Sequence, residues 1–245
     1  VITAGVDLAA QPERTAIAVI EWSAGRAAIK EAASYGDDQT ILHVIRQAAK
    51  TGIDCPFGWP DAFVLFVTEY HAHRVDVPAS RPGSRRNLTM RRTDVVVHDR
   101  LRLTPLSVSA DRIAHVAFRC ADLLAQLEAI AGPVDRAGTG PVAEVYPAAS
   151  LRSWGLTHNG YKKKTATDIL NGLVDHFLDQ VPWLDCGTYE QDLRRSHDMF
   201  DAVIAAMTAR AVAIGQVLLP TADELTTATS EGWIMIPRKP ISALL

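Results

Sequence analysis

The chain has 245 residues, 48% of them hydrophobic and 22% charged, so it can bury a full core and does not read as a disordered chain. A formal net charge of −3 gives no overall attraction for nucleic acid, and no run of about 18 apolar residues marks a membrane span. Three widely separated cysteines, Cys55, Cys120 and Cys186, follow no zinc-ligand spacing and argue against a disulfide framework. The sequence opens straight into a strand-like segment without a basic leader or cleavage site, so the expectation is a soluble, cytoplasmic protein.

Residues 2–9 read as a buried strand and Gln11–Arg14 as a polar turn. Thr15–Trp22 is a second apolar run of strand length, Ser23-Ala24-Gly25 turns the chain, and Arg26–Tyr35 forms a third strand, which together predict an antiparallel meander. Asp38–Lys50 carries Ile41, Leu42, Val44, Ile45 and Ala48 at helical spacing behind an Asp37 or Asp38 cap, and Gly52–Cys55 is a short strand stopped by Pro56. A helix is expected over Pro60–His73, inside an insertion or elaborated connection at 56–110.

That connection holds Arg81, Arg85, Arg86, Arg91 and Arg92, broken by Pro82 and Gly83. Residues 74–92 are therefore expected at the surface, where an arginine-rich loop grips a phosphate backbone. Lys162, Lys163 and Lys164 form a second basic stretch. A strong amphipathic helix starts at Ser109-Ala110-Asp111 and stops at Gly132-Pro133, and Pro141–Tyr146 reads as a fifth strand. Helices are expected at 148–154 and 165–179, and a long one from Glu190 to Ile214. Trp233–Ile236 adds an edge strand, and residues 227–237 offer an edge through which two copies could pair as a homodimer. The class is α/β, with a mixed five-stranded sheet and helices on both faces.

Acids fall at strand ends and on the last long helix. Asp7 lies inside the first strand, Asp54 ends the fourth, Glu144 lies on the fifth, and Asp198 and Asp201 are three apart on one helical face. A carboxylate in a buried strand is costly unless it is paired or bound to a cation. Each acid has an ordinary structural explanation: a turn cap, an arginine partner or a solvated helix position. Their recurrence on several elements suits a hard divalent cation, which takes oxygen ligands converging from separate segments.

The pieces GVDLA, IDCPFGWP, RRTD, EVYPAASLRSWGL with GYKKK, HDMFDAVIAAMTA and EGWI, spread from Gly5 to Pro237, resemble domain-of-unknown-function family 429. Its members are regarded as nucleases of the RNase H-like fold. The resemblance extends to RuvC-like resolvases, which carry an acid on the first strand, one on the fourth and two acids three apart on the last helix. It implies a single RNase H-like domain over 1–245 with sheet order 3-2-1-4-5 and the insertion at about 56–110. Asp7, Asp54, Asp198 and Asp201 match the resolvase positions. The fourth-strand acid is Asp where the resolvases have Glu, and Glu144 is an extra acid.

The resemblance implies phosphodiester hydrolysis by Mg²⁺ or Mn²⁺ held on Asp7, Asp54, Asp201, Asp198 and Glu144, with Asp7 bridging two ions. Arg92, Thr93, Asp94, Tyr161 and Lys162 are the expected substrate contacts, and His197 a proton shuttle or phosphate contact. The expected partner is nucleic acid, with no membrane. Two other classes compete: a nucleotide-dependent phosphotransferase of the actin and sugar-kinase type, and a non-catalytic nucleic-acid-binding module. The chain is short for a two-domain kinase, and its first turn lacks a Gly/Ser/Thr-rich tip.

Overall fold

The computed structural model describes residues 1–74, 84–163, 165 and 167–245. Its first half runs β1 (Ile2–Asp7), β2 (Ala16–Ser23), β3 (Arg26–Ala33), α1 (Asp38–Gln47), β4 (Lys50–Asp54), α2 (Asp61–His71), α3 (Ser84–Thr89), α4 (Arg92–Leu101) and α5 (Ala114–Ala131). The second half runs β5 (Val142–Glu144), α6 (Pro147–Ser153), α7 (Thr167–Gln180), β6 (Leu184–Asp185), α8 (Glu190–Arg195), α9 (His197–Ala213), β7 (Val217–Leu218), α10 (Ala222–Glu231) and β8 (Ile236–Pro237). Among the described residues no helix is long and apolar enough to cross a membrane.

The main sheet has six strands in the order β5-β4-β1-β2-β3-β6. The expected order 3-2-1-4-5 lies inside it, and the sixth strand is β6, two residues that pair in parallel with the outer edge of β3. So short an edge strand has no period-2 signal of its own, which is why sequence reading passed over it. β1 pairs antiparallel with β2 and parallel with β4, and β4 pairs parallel with β5. β7 and β8 form a separate two-stranded ribbon.

Alternation along β1 and β4 decides which residues meet which layer. Ala4, Val6, Ile53 and Cys55 join the apolar layer that α1 and α5 supply through Ile41, Ile45, Cys120 and Leu124. Thr3, Gly5 and Asp7 alternate with them and face α9. Thr3 donates to the Ala206 carbonyl at 3.0 Å, and a Cβ on Gly5 would lie 2.0 Å from the Ala202 carbonyl oxygen. Gly52 on β4 meets α9 in the same way, 2.6 Å from the Ala205 oxygen. Two glycines beneath an alanine-rich helix, with Ala202, Ala205, Ala206 and Ala209 all buried, let α9 lie almost on the sheet backbone.

Several boundaries differ from expectation. The long helix over 190–214 is two helices broken at Ser196, whose hydroxyl accepts from the Met199 amide at 3.2 Å and caps α9. Asp198 therefore sits in a first turn. The helix expected from Ser109 starts at Ala114. The connection 56–110 contains α2, α3 and α4; Arg85 and Arg86 are exposed as expected, whereas Arg91 is only 2% exposed. Arg81, Pro82, Gly83 and Lys164 lie outside the described residues. Residues 227–231 belong to α10, and Trp233–Ile236 are buried, with Ile234 bridging in parallel to Glu144. That segment extends the sheet within the chain.

Candidate metal centre

Parallel pairing of β1 with β4 sets Asp7 directly beside Asp54 in register, both on the face that α9 covers. The close approach of α9 over Gly5 and Gly52 brings Asp201 down onto them, and the residue is fully buried. Carboxylate oxygens of Asp7, Asp54 and Asp201 all lie within 4.8 Å of one another. Asp198, one turn earlier on α9, lies beside the Asp7 carboxyl and pairs with His197, whose Nδ1 is 2.7 Å from its Oδ1.

The loop between α6 and α7 closes the cluster from above. Gly160, at φ +83, turns the chain so that Tyr161 is buried while Lys162 stays half-exposed. The Tyr161 hydroxyl donates to Asp201 Oδ1 at 2.8 Å, and the Lys162 ammonium pairs with Asp201 Oδ2. Tyr161 thus holds the carboxylate in place. Lys162 is the cation that sits among the acids.

The charges show what crowding does. Burial, then Asp201 and Asp54, push the Asp7 carboxyl well above the usual range. Burial also pushes Asp54 up to about 7, with Lys162 pulling the other way. Asp198 is held below its ordinary value by the His197 ring against it. Burial works against the Lys162 ammonium, but Asp201, then Asp54 and Asp7, hold its pKa above that of a free lysine. Four acids against one ammonium leave surplus negative charge, which the metal-free protein offsets by keeping protons. An all-oxygen donor set of this kind fits a hard divalent cation such as Mg²⁺ or Mn²⁺.

Glu144 does not join this group. It is the register partner of Ile53, one position away from Asp54, and so starts on the other face of the sheet. Its carboxylate accepts from Arg91 at 2.7 and 2.9 Å and from the Phe57 amide at 2.9 Å. Arg91 also binds Asp94 and the Glu231 carbonyl, making a buried hub that ties α4 to β5 and α10. The expected substrate contacts in the RRTD piece are built into the same fastening. Asp94 is fully buried on Arg91, Thr93 accepts from the Ile234 amide at 2.8 Å, and the Arg92 side chain pairs with Glu224. Glu231 of the EGWI piece accepts from the Asp61 and Arg92 amides at 2.8 and 2.6 Å, capping two helices. Arg91 and Ile234 line the same cleft as Asp7 and Asp54, but the donors of this buried arginine are taken up by buried acids.

Two residues that sequence reading did not select border the cluster. Arg14 lines a groove of about 240 Å³ together with Asp7, Gln11, Lys162 and Asp198. Tyr146 lines a larger cleft of about 430 Å³ together with Asp7, Asp54, Tyr161 and Lys162, and burial pushes its phenol above the ordinary value. Position beside Glu144 in the EVYP piece was the only sequence signal for Tyr146. Arg14 had none, since a turn arginine is ordinarily solvated.

A search of curated proteins and a search of solved structures each return no match to this chain. The family model described as "Protein of unknown function (DUF429)" matches residues 5–225, and the chain belongs to that family.

Proposed function

We propose that the protein is a divalent-metal-dependent nuclease that hydrolyses phosphodiester bonds of nucleic acid. The observation that carries the reading is the convergence of Asp7, Asp54 and Asp201 from two strands and a helix onto one small volume, with Asp7 and Asp54 lining a cleft. The sheet supports an RNase H-like fold: a three-strand meander, β4 parallel beside β1, β5 beyond it, and a last long helix lying across β1 and β4. In such folds the acids sit on β1, β4 and that helix, as they do here.

Asp7, Asp54 and Asp201 would hold the cation, with Asp198 next to Asp7 completing the donor set. When bound, a divalent cation supplies a water nucleophile at neutral pH and offsets charge on the phosphoryl oxygens. Tyr161 keeps the Asp201 carboxylate oriented through its hydrogen bond. Lys162 reaches the same carboxylates and, on a flexible stem, can turn to a phosphate oxygen as a point charge. His197, held by Asp198 at the helix start, is placed to exchange a proton at its other ring nitrogen.

The test is a cleavage screen with Mn²⁺ or Mg²⁺ over DNA and RNA, single-stranded and duplex, beside Asp7→Asn. Cleavage by the wild type and none by a folded Asp7→Asn protein is the expected result. Metal-independent cleavage, or cleavage that survives Asp7→Asn, overturns the reading. A thermal shift with Mn²⁺ alone is expected; a shift that requires ATP as well points instead to a phosphotransferase of the actin and sugar-kinase type. Binding of nucleic acid with neither metal response nor cleavage leaves a non-catalytic binding module.

A further inference from the structure

We infer that the apolar side of the cleft beside the carboxylates seats one unstacked base, so that the substrate is single-stranded nucleic acid; the inference rests on the nuclease reading above. The cleft, about 430 Å³, is lined by Asp7 and Asp54, by the apolar Pro56, Pro105, Leu106 and Ile113, and by Arg91, which is held by Glu144. That volume lies in the range of pockets that enclose a small ligand, about 300–1,000 Å³. It is a concavity with apolar walls, whereas a double helix is gripped by a track of cations along both phosphate strands.

Several arginines are engaged in ion pairs within the chain, although Arg85 and Arg86 are exposed. Arg91 is spent on Glu144 and Asp94, Arg92 on Glu224, and Arg119 on Asp38. The neighbouring groove of about 240 Å³ also reaches Asp7 and carries Arg14 and Lys162. Asp7 therefore lies where two concavities meet: one mainly apolar and of a size for a base, though Arg91, Glu144 and Lys162 also line it, and one that carries Arg14 and Lys162, suited to a phosphate. In a duplex the bases are stacked and covered, and an apolar pocket flush with the reactive acids has nothing to take. In a single strand each base has a free face that favours apolar surface, and its phosphate lies within one nucleotide of it. His158 and the exposed Asn159 at the same cleft offer polar groups to the edge of a seated base.

The test measures binding by fluorescence anisotropy with Ca²⁺ in place of Mn²⁺, using a short single strand, the same strand in a duplex, and the strand with an abasic position. Cleavage with Mn²⁺ is scored in parallel. The single strand should bind at least about tenfold tighter than the duplex, and the abasic strand should lose about tenfold. Ile113→Gln should bring the intact and abasic strands to the same affinity. Leu106→Gln should do likewise at a position already 44% exposed, where the fold tolerates a polar side chain. Equal binding of duplex, or an intact-to-abasic difference that survives both substitutions, overturns the inference, as does failure to bind any of the three. Base-dependent binding without cleavage upholds the pocket and removes the nuclease reading. Cleavage with preference for duplex does the reverse.

Discussion

Asp54→Asn should make the metal-free protein more stable at pH 8, and much less so at pH 5. Burial pushes the Asp54 carboxyl from 3.8 to about 7. Between those two values the folded protein keeps a proton that the unfolded chain has released, so stability falls as pH rises through the window and stays at its lower level above pH 7. A shift of about three units corresponds to a ceiling of about 4 kcal/mol at about 1.4 kcal/mol per unit. Asparagine removes the charge but brings an amide that must find partners in the same crowded place, so the realised gain is smaller. About 1–2 kcal/mol is expected at pH 8, or about 2–8 °C in Tm for a chain of this size. At pH 5 the window has been crossed only in part, and well under half of the gain remains. The assay is thermal melting followed by circular dichroism in EDTA at the two pH values. An Asp54→Asn protein less stable than wild type at pH 8 would show that attraction to Lys162 outweighs desolvation, and equal gains at pH 5 and pH 8 would refute the titration argument.

Arg91→Met should cost about 3–5 kcal/mol in urea denaturation, because it leaves Glu144 and Asp94 buried without their cation; Arg91→Lys should recover only part of that loss, since one ammonium cannot replace the forked donors to two carboxylates. Gly5→Ala should destabilise by more than the roughly 1–3 kcal/mol typical of core overpacking, since its Cβ would meet helix backbone 2.0 Å away, and soluble yield together with melting reads it. Ser196→Ala should cost about 1 kcal/mol of stability through loss of the α9 cap, with Ser196→Asp restoring it, measured by urea denaturation. On the proposed function, Asp7→Asn should abolish Mn²⁺-dependent cleavage while the folded spectrum is unchanged, as measured by gel assay beside circular dichroism.

Much of the layer plan could be read along the chain. Alternation in β1 and the helical spacing of α1 and α5 depend on near neighbours, and the structure keeps them with ends moved by a few residues. Asp7, Asp54, Asp198 and Asp201 stood out because charges in apolar surroundings are costly wherever the chain goes. What local pattern could not decide was which partner each acid meets. Asp54 and Glu144 look alike in sequence, each an acid near a proline at a strand end. A single step of register sends Asp54 to the face beneath α9 and Glu144 to Arg91 on the other. Arg91 itself read as part of a solvated basic loop, since its burial depends on Glu144, brought from a distant strand to join Asp94 three residues on. The approach of α9 is the other tertiary decision. Gly5, Gly52 and the alanines of α9 are small for no local reason. Only when helix and sheet are packed does their smallness lower Asp201 onto Asp7 and Asp54, because backbone can come that close only where side chains leave no volume between.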